Sequence, residues 1–391
     1  MENRDYEFTK SHNQIAKGIA ITLMMIHHLF AFPERIQDVS YISMLPFWNF
    51  SLFQDTSIEF LLGDFAKICV AMYLFLSGYG LYITSSRKEN FTLKDSLQKM
   101  MKFLINYWVV FIIFVPIGMI WFKGATSYHL NIIEFMANLF TLSSSYNSEW
   151  WFIRLYIELL LLFPLIKRVL KKGIVSSVSI SLGIYILSIG MELIVIKTPQ
   201  ISFLKDNFFY HDIMDILFWQ MTFCTGYITA KFKLFNYVNK QIIIKGLDKN
   251  AFYIAIILVI IWIRIEFSSI CESIGKGNST YVDFILAPIF ILICTNLIQR
   301  IKSKNVFLLL GKNSTNIWLT HTFFCFYYFQ RVVFFPKLSI LILIWLATLS
   351  LAASSLINFV IKSSETFLKQ RRDISATIRR ETKSNTSREY L

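Results

Sequence analysis

The sequence predicts an all-α fold, a polytopic transmembrane helical bundle of about ten spans with both termini cytoplasmic. Three observations carry that reading. The mean hydropathy is +0.52, and 55% of the 391 residues are hydrophobic against 16% charged, a balance that argues against a water-soluble chain. Apolar runs recur at the length of about 20 residues that a helix needs to cross roughly 30 Å of hydrocarbon. Lys and Arg cluster between those runs, in alternate connections. The 7 Pro and 14 Gly are too few for the many turns of a β-barrel, whose strands alternate over about ten residues. Helices are then the spanning option.

In chain order the spans fall at 15–33, 65–84, 103–122, 150–168, 174–196, 213–230, 251–270, 282–299, 306–330 and 338–361. The first follows a polar segment and lacks a small-residue cleavage site, so it is expected to stay as an anchor. The second contains LFLSGYGLY, which lacks the GxSxG spacing of a nucleophile elbow, and its small residues suit close helix packing. KMMK, with Lys99 and Lys102 one turn apart, opens the third. NSEWWFIRLY opens the fourth and puts Trp150 and Trp151 at an aqueous interface. The next four are apolar runs bounded by charged connections. The ninth carries the polar string GKNSTNIWLTHTFF, and the tenth ends at a basic tail. With the N-terminus inside, 28 of the 39 Lys and Arg fall on the cytoplasmic side and 9 outside, among them Arg35, Lys123 and Lys276. Residues 1–361 thus form one transmembrane domain, and 362–391, with Arg371, Arg372, Arg379 and Arg380, read as a disordered basic cytoplasmic tail held near anionic headgroups.

The net charge of +14 does not indicate nucleic acid, because the cations sit between apolar spans. Cys69, Cys224, Cys271, Cys294 and Cys325 form no CxxC pair and read as small hydrophobes, with no disulfide or metal role. No Walker loop, GxGxxG or HExxH occurs, and neither an internal repeat nor a separate soluble domain is evident.

An ionisable group within a span costs several kcal/mol unless paired or facing a cavity, so each marks a candidate site. Lys17 and His28 lie 11 residues apart in KGIAITLMMIHH. That is three turns plus about 20°, hence one helix face, with an axial separation of about 16 Å. A cation at the cytoplasmic mouth and an imidazole near mid-bilayer would line one groove, where His28 serves as a general base. The competing reading of His28 is a structural hydrogen bond to a neighbouring helix. His321 falls at a similar depth on the ninth span. Arg154 and Glu158 form an i,i+4 pair for which mutual neutralisation competes with a role for Glu158 in orienting an imidazole.

These segments resemble the integral-membrane acyltransferase family 3, whose bacterial members mostly O-acetylate cell-surface polysaccharides. The resemblance spans KGIAITLMMIHH, KICVAMYLFLSGYGLY, KMMK, NSEWWFIRLYIELLLLFP and LGKNSTNIWLTHTFF. The family pattern of Arg or Lys, ten residues, then His is met by Lys17 and His28. The family's Arg-x-x-Arg at the third span is replaced by Lys99 and Lys102, which keeps charge and loses bidentate phosphate geometry. The resemblance implies a multi-pass enzyme of a bacterial cytoplasmic membrane, with no permanently bound cofactor. Acyl-CoA, most simply acetyl-CoA, is the implied donor, its phosphates held by Lys17, Lys99 and Lys102. His28, His321 and Glu158 are the expected catalytic residues, with His28 as base or transient acyl acceptor. A glycan or lipid-linked sugar hydroxyl would arrive from outside against Arg154, Trp151 and Glu149. Membrane lipids are the other partner, and no metal is implied. The rival reading is a secondary transporter or flippase of a lipid-linked oligosaccharide that uses buried His, Arg and Glu as a proton relay.

Overall fold

The computed structural model describes residues 7–36, 38–43, 57–88, 90–122, 128, 131–273 and 279–389. Lys123, Lys276 and the side chains of Arg371, Arg372, Arg379 and Arg380 lie outside the described residues. The helices are α1 Lys10–Phe30, α2 Ile58–Ala66, α3 Cys69–Ser85, α4 Leu93–Trp121, α5 Ile132–Leu139, α6 Trp151–Val169, α7 Ile174–Lys197, α8 Phe208–Lys231, α9 Leu234–Ile244, α10 Asn250–Ser273, α11 Asp283–Ile298, α12 Lys304–Thr322, α13 Gln330–Val333 and α14 Ser339–Glu389. A helix occupies each of the ten regions expected to span. Among the described residues, six stretches are long and apolar enough to cross a membrane: Ile58–Ser85, Leu93–Trp121, Ile174–Lys197, Asn250–Ser273, Thr280–Ile298 and Ser339–Phe367. The helices that miss that criterion in the expected positions are α1, α6, α8 and α12. These four carry His28, Arg154, Asp212 and His321 respectively.

Two glycine crossings set the packing. A Cβ on Gly18 would lie 2.1 Å from the Phe307 carbonyl oxygen, and one on Gly311 would lie 1.9 Å from that of Gln14. The backbones of α1 and α12 therefore touch, and no side chain fits between them. The same reciprocal contact joins α3 to α8, with Gly78 against the Phe223 carbonyl and Gly226 against that of Phe75. Gly78 accounts for the small residues of LFLSGYGLY, whereas Gly80 faces open space. The cysteines are all buried.

The region read as one second span is broken at Lys67 and Ile68, between α2 and α3. A helix end inside a low-dielectric core needs partners for its carbonyls. His27 donates from Nδ1 to the Gly63 carbonyl at 2.8 Å, and Arg264 donates to that of Asp64 at 2.7 Å. Arg264 is itself paired with Asp283 at 2.9 Å, both fully buried. The last helix runs on to Glu389 through residues 362–389 of the basic tail. That stretch contains neither Gly nor Pro, and extending an existing helix carries no nucleation cost.

Candidate functional site

The last turn of α1 and the last turn of α12 bring His28 and His321 together, because the glycine crossing holds the two backbones in contact lower down. His28 Nδ1 lies 2.7 Å from His321 Nε2. The proton positions follow from the partners. His321 Nδ1 lies 3.0 and 2.9 Å from the carbonyl oxygens of Ile317 and Trp318, which only accept, so Nδ1 carries the hydrogen. In the neutral ring Nε2 is then an acceptor, and His28 must donate to it from Nδ1. His28 is left with Nε2 as its working nitrogen, and that atom faces Glu149 Oε2 at 3.2 Å. A proton taken up by Nε2 would be met there by the carboxylate.

Glu149 is aimed by a latch in the segment before α6. Asn147 donates through Nδ2 to Thr322 Oγ1 at 2.8 Å and accepts from the Glu149 backbone N–H through Oδ1. The Ser148 N–H donates to the Tyr327 hydroxyl at 3.0 Å, and the Trp150 indole donates to the Leu319 carbonyl. Tyr327 ends the π-helical turn Phe323–Tyr327 that follows α12. Such wide turns displace side chains from the α-helical register and are frequent at functional sites. On its other oxygen Glu149 accepts from Arg35 Nη1 at 2.6 Å, and the Arg35 guanidinium lies over the rings of Phe32 and Phe326. Burial alone would push the Glu149 carboxyl up; the neighbouring His28 and Arg35 outweigh it and hold the group well below the usual carboxylate range.

Below the imidazoles lies a cavity of about 100 Å³, lined among others by Lys17, Met24, Tyr73, Phe103, Tyr156 and Trp318. Lys17 and Met24 share the α1 face that leads to His28 one turn further on, and Trp318 lies one turn below His321. His28 itself does not line it. The slot thus runs along the Lys17–Met24 stretch of the shared face, with Met24 and Trp318 as its lining residues nearest in sequence to His28 and His321. Lys99 is half-buried and Lys102 exposed at the start of α4. Neither lines the slot, although Phe103, one turn beyond Lys99, does.

The second carboxylate expected near the imidazoles is elsewhere. Glu158 accepts from Arg154 Nε at 3.1 Å, and Arg154 also pairs with Asp212 on α8 and stacks on Phe208. Glu158 lies two turns into α6, past the segment that is latched to α12, so mutual neutralisation with Arg154 describes it. Trp151 packs against Trp219 of α8, ring centroids 6.4 Å apart. Sequence analysis gives no site role to three members of the site: Arg35, Asn147 and Tyr327. Arg35 was a cation in a long cation-poor loop, a signal that a lone charge there has a partner. Nothing in the sequence announces the other two.

Residues 14–359 match the model of an acyltransferase domain, that of the acyltransferase family 3, and the chain belongs to that family. No curated protein and no solved structure matches it. The chain is accordingly a membrane acyltransferase in general class, and the paired imidazoles with Glu149 are its candidate active site.

Proposed function

We propose that the protein is a multi-pass O-acyltransferase of a bacterial cytoplasmic membrane, both termini inside, that moves an acyl group, most simply acetyl, from cytoplasmic acyl-CoA to a hydroxyl of a cell-surface polysaccharide or lipid-linked sugar. The observation that carries this reading is the chain His321, His28, Glu149, Arg35, seated one turn above a slot whose lower end holds Lys17. Lys17 meets the donor's phosphates as a point charge, and Lys99 and Lys102 add positive potential at the same mouth. The extended arm of the donor enters the slot. At about 100 Å³ the slot is smaller than the roughly 300 Å³ of a small-ligand site, so Met24 and Trp318 move aside to admit the thioester.

The chemistry starts from a neutral His28 whose Nε2 carries no proton. The acceptor hydroxyl enters between His28 Nε2 and Glu149 and gives its proton to Nε2 as its oxygen attacks the thioester carbonyl. The new C–O bond forms and the C–S bond breaks. The thiolate leaves with the proton from Nε2, giving free coenzyme A and the ester. His321 keeps Nδ1 of His28 in the donor state so that Nε2 is the base, and Glu149 with Arg35 stabilises the imidazolium. Arg154 and Trp151, on the first turn of α6, face the acceptor side.

The test is His28→Ala in purified full-length protein given acetyl-CoA and a glycan acceptor. Coenzyme A release is expected to fall by about 10²- to 10⁴-fold, the usual contribution of a general base. The acetyl mass on surface glycan should disappear from cells carrying only the variant. Undiminished release from the variant, or a wild-type protein that moves glycan without ever releasing coenzyme A, as a transporter would, overturns the proposal.

A further inference from the structure

Away from the imidazoles, between α7 and α8, lies a cavity of about 320 Å³, within the roughly 300–1,000 Å³ of small-molecule sites. From it we infer a binding subsite for an uncharged sugar residue of the acceptor glycan. The inference rests on the transferase reading above and names the class of acceptor that reading leaves open.

Three features point to a sugar. The lining supplies carboxylates, Glu192 and Asp215, of the kind that accept hydrogen bonds from neighbouring hydroxyls. It supplies an indole, Trp219, a flat apolar surface against which the C–H face of a pyranose can lie. It also supplies the hydroxyl of Tyr210, which is buried with no hydrogen-bond partner, so a polar ligand would complete it. The charge of the lining selects the kind of sugar. Lys205 is the one ammonium among the described lining residues, and His211 turns its Nε2 to the Lys205 carbonyl. The guanidinium of Arg154, beside the lining residue His211 through its pair with Asp212, is taken by Asp212 and Glu158. Two carboxylates in a partly enclosed site therefore face an incoming ring, and a uronic acid or a phosphate would meet like charge there.

Position ties the cavity to the reaction. Trp219 packs on Trp151, the first residue of α6, which follows directly on the latched segment carrying Glu149. A glycan held at Trp219 would continue past Trp151 toward His28, so the cavity holds a residue of the same chain away from the one acylated.

The experiment is ligand-observed NMR on the purified full-length chain with two probes, methyl β-D-glucopyranoside and the methyl glycoside of glucuronic acid, which differ in a single carboxylate. Saturation transfer to the neutral glycoside is expected, with affinity about tenfold above that for the acidic one. Glu192→Gln and Asp215→Asn should each weaken the neutral probe by about tenfold or more. Tyr210→Phe removes only the unpartnered hydroxyl and gives a smaller loss in the same direction. Each variant is read alongside its gel-filtration profile, and the mild Tyr210→Phe stands as the measure should an amide variant misassemble. Equal binding of both probes, or neutral binding unchanged in all three variants, overturns the inference. Binding needs no acyl transfer, so the two proposals fail separately: a negative result here leaves the His28→Ala result standing, and transfer by His28→Ala leaves the binding pattern standing.

Discussion

The pair α1 and α12 and the pair α7 and α10 are helices of similar length with opposite fates. In α7 and α10 the most apolar windows have mean hydropathies of 2.0 and 2.3, yet only 22% of each is buried within the protein. Exposed residues there include Ile186, Leu187, Leu258 and Trp262. In α1 and α12, which are too polar to meet the same spanning criterion, His28 is 6% exposed and His321 is wholly buried. In water this would be inverted. In lipid an apolar surface gains nothing by turning inward, whereas an imidazole must find a partner inside the protein. The two most lipid-exposed of these apolar stretches are α7 and α10, whereas the helices too polar to meet the criterion include those that carry the candidate site residues His28 and His321.

The contrast is broken most severely at Glu149, where a buried carboxylate keeps the polar pair together. Glu149→Gln retains shape and removes the counter-charge of His28 and Arg35, so acyl transfer should fall by about 10²- to 10⁴-fold. Stability carries a pH signature of the same residue. The Glu149 carboxyl titrates lower in the fold than its ordinary value of 4.5, so its stabilising contribution is complete above that pH and is lost as the pH falls. The thermal midpoint of the native protein should exceed that of Glu149→Gln near about pH 7, and the gap should narrow steadily as the pH falls below 4.5. A gap that does not narrow would show that the carboxylate's charge is not what is lost.

His321 comes next. His321→Leu leaves His28 Nδ1–H buried without an acceptor, and transfer should drop by about tenfold to hundredfold. His321→Gln supplies a carbonyl oxygen in the same region and should recover part of the loss. Rescue by Gln and not by Leu separates a positioning role from simple packing, since both variants fill the space.

How much of this was legible in the sequence depends on distance along the chain. Lys17 and His28 sit on one helix, where 3.6-residue periodicity fixes their relation, and the spacing correctly put them on one face. Depth along α12 brought His321 into consideration, but contact between two helices 293 residues apart is a tertiary fact. Glu158 attracted attention because a charge inside an apolar run is conspicuous, and its i,i+4 partner Arg154 already accounted for it. Glu149 was expected on the acceptor side. What turns it onto His28 is the set of hydrogen bonds from Asn147, Ser148 and Trp150 to the end of α12 and the π-turn, and none of these has a sequence period. The break at Lys67 was hidden for the same reason, since its freed carbonyls are satisfied by His27 and Arg264 from other helices.

The glycine crossing is the next smaller effect. Gly311→Leu pushes a side chain into the Gln14 carbonyl and should destabilise by about 1–3 kcal/mol, as overpacking does, lowering the thermal midpoint in detergent and separating the imidazoles. Gly80→Ala is the control on a glycine with open space about it. Being helical, it should gain about 0.5–1 kcal/mol. If both substitutions act alike, the backbones of α1 and α12 are not in contact.

The smallest effect is expected on the other side of the comparison. Leu258 and Trp262 of α10 are 59% and 60% exposed, so their partners are acyl chains, and Leu258→Ala exchanges one apolar surface for another. Its cost should stay within about 0.5 kcal/mol, because no cavity opens and no polar group is stranded. A charge at the same place is different: Leu258→Asp should oppose membrane insertion by about 2.5–3.5 kcal/mol, the penalty for a carboxylate near a helix centre. The informative result is the ratio of the two in one insertion assay. In a solvated position Ala and Asp would both be nearly silent, and in a packed one both would be costly. Only a lipid-facing residue tolerates the loss of three side-chain carbons and refuses a single charge.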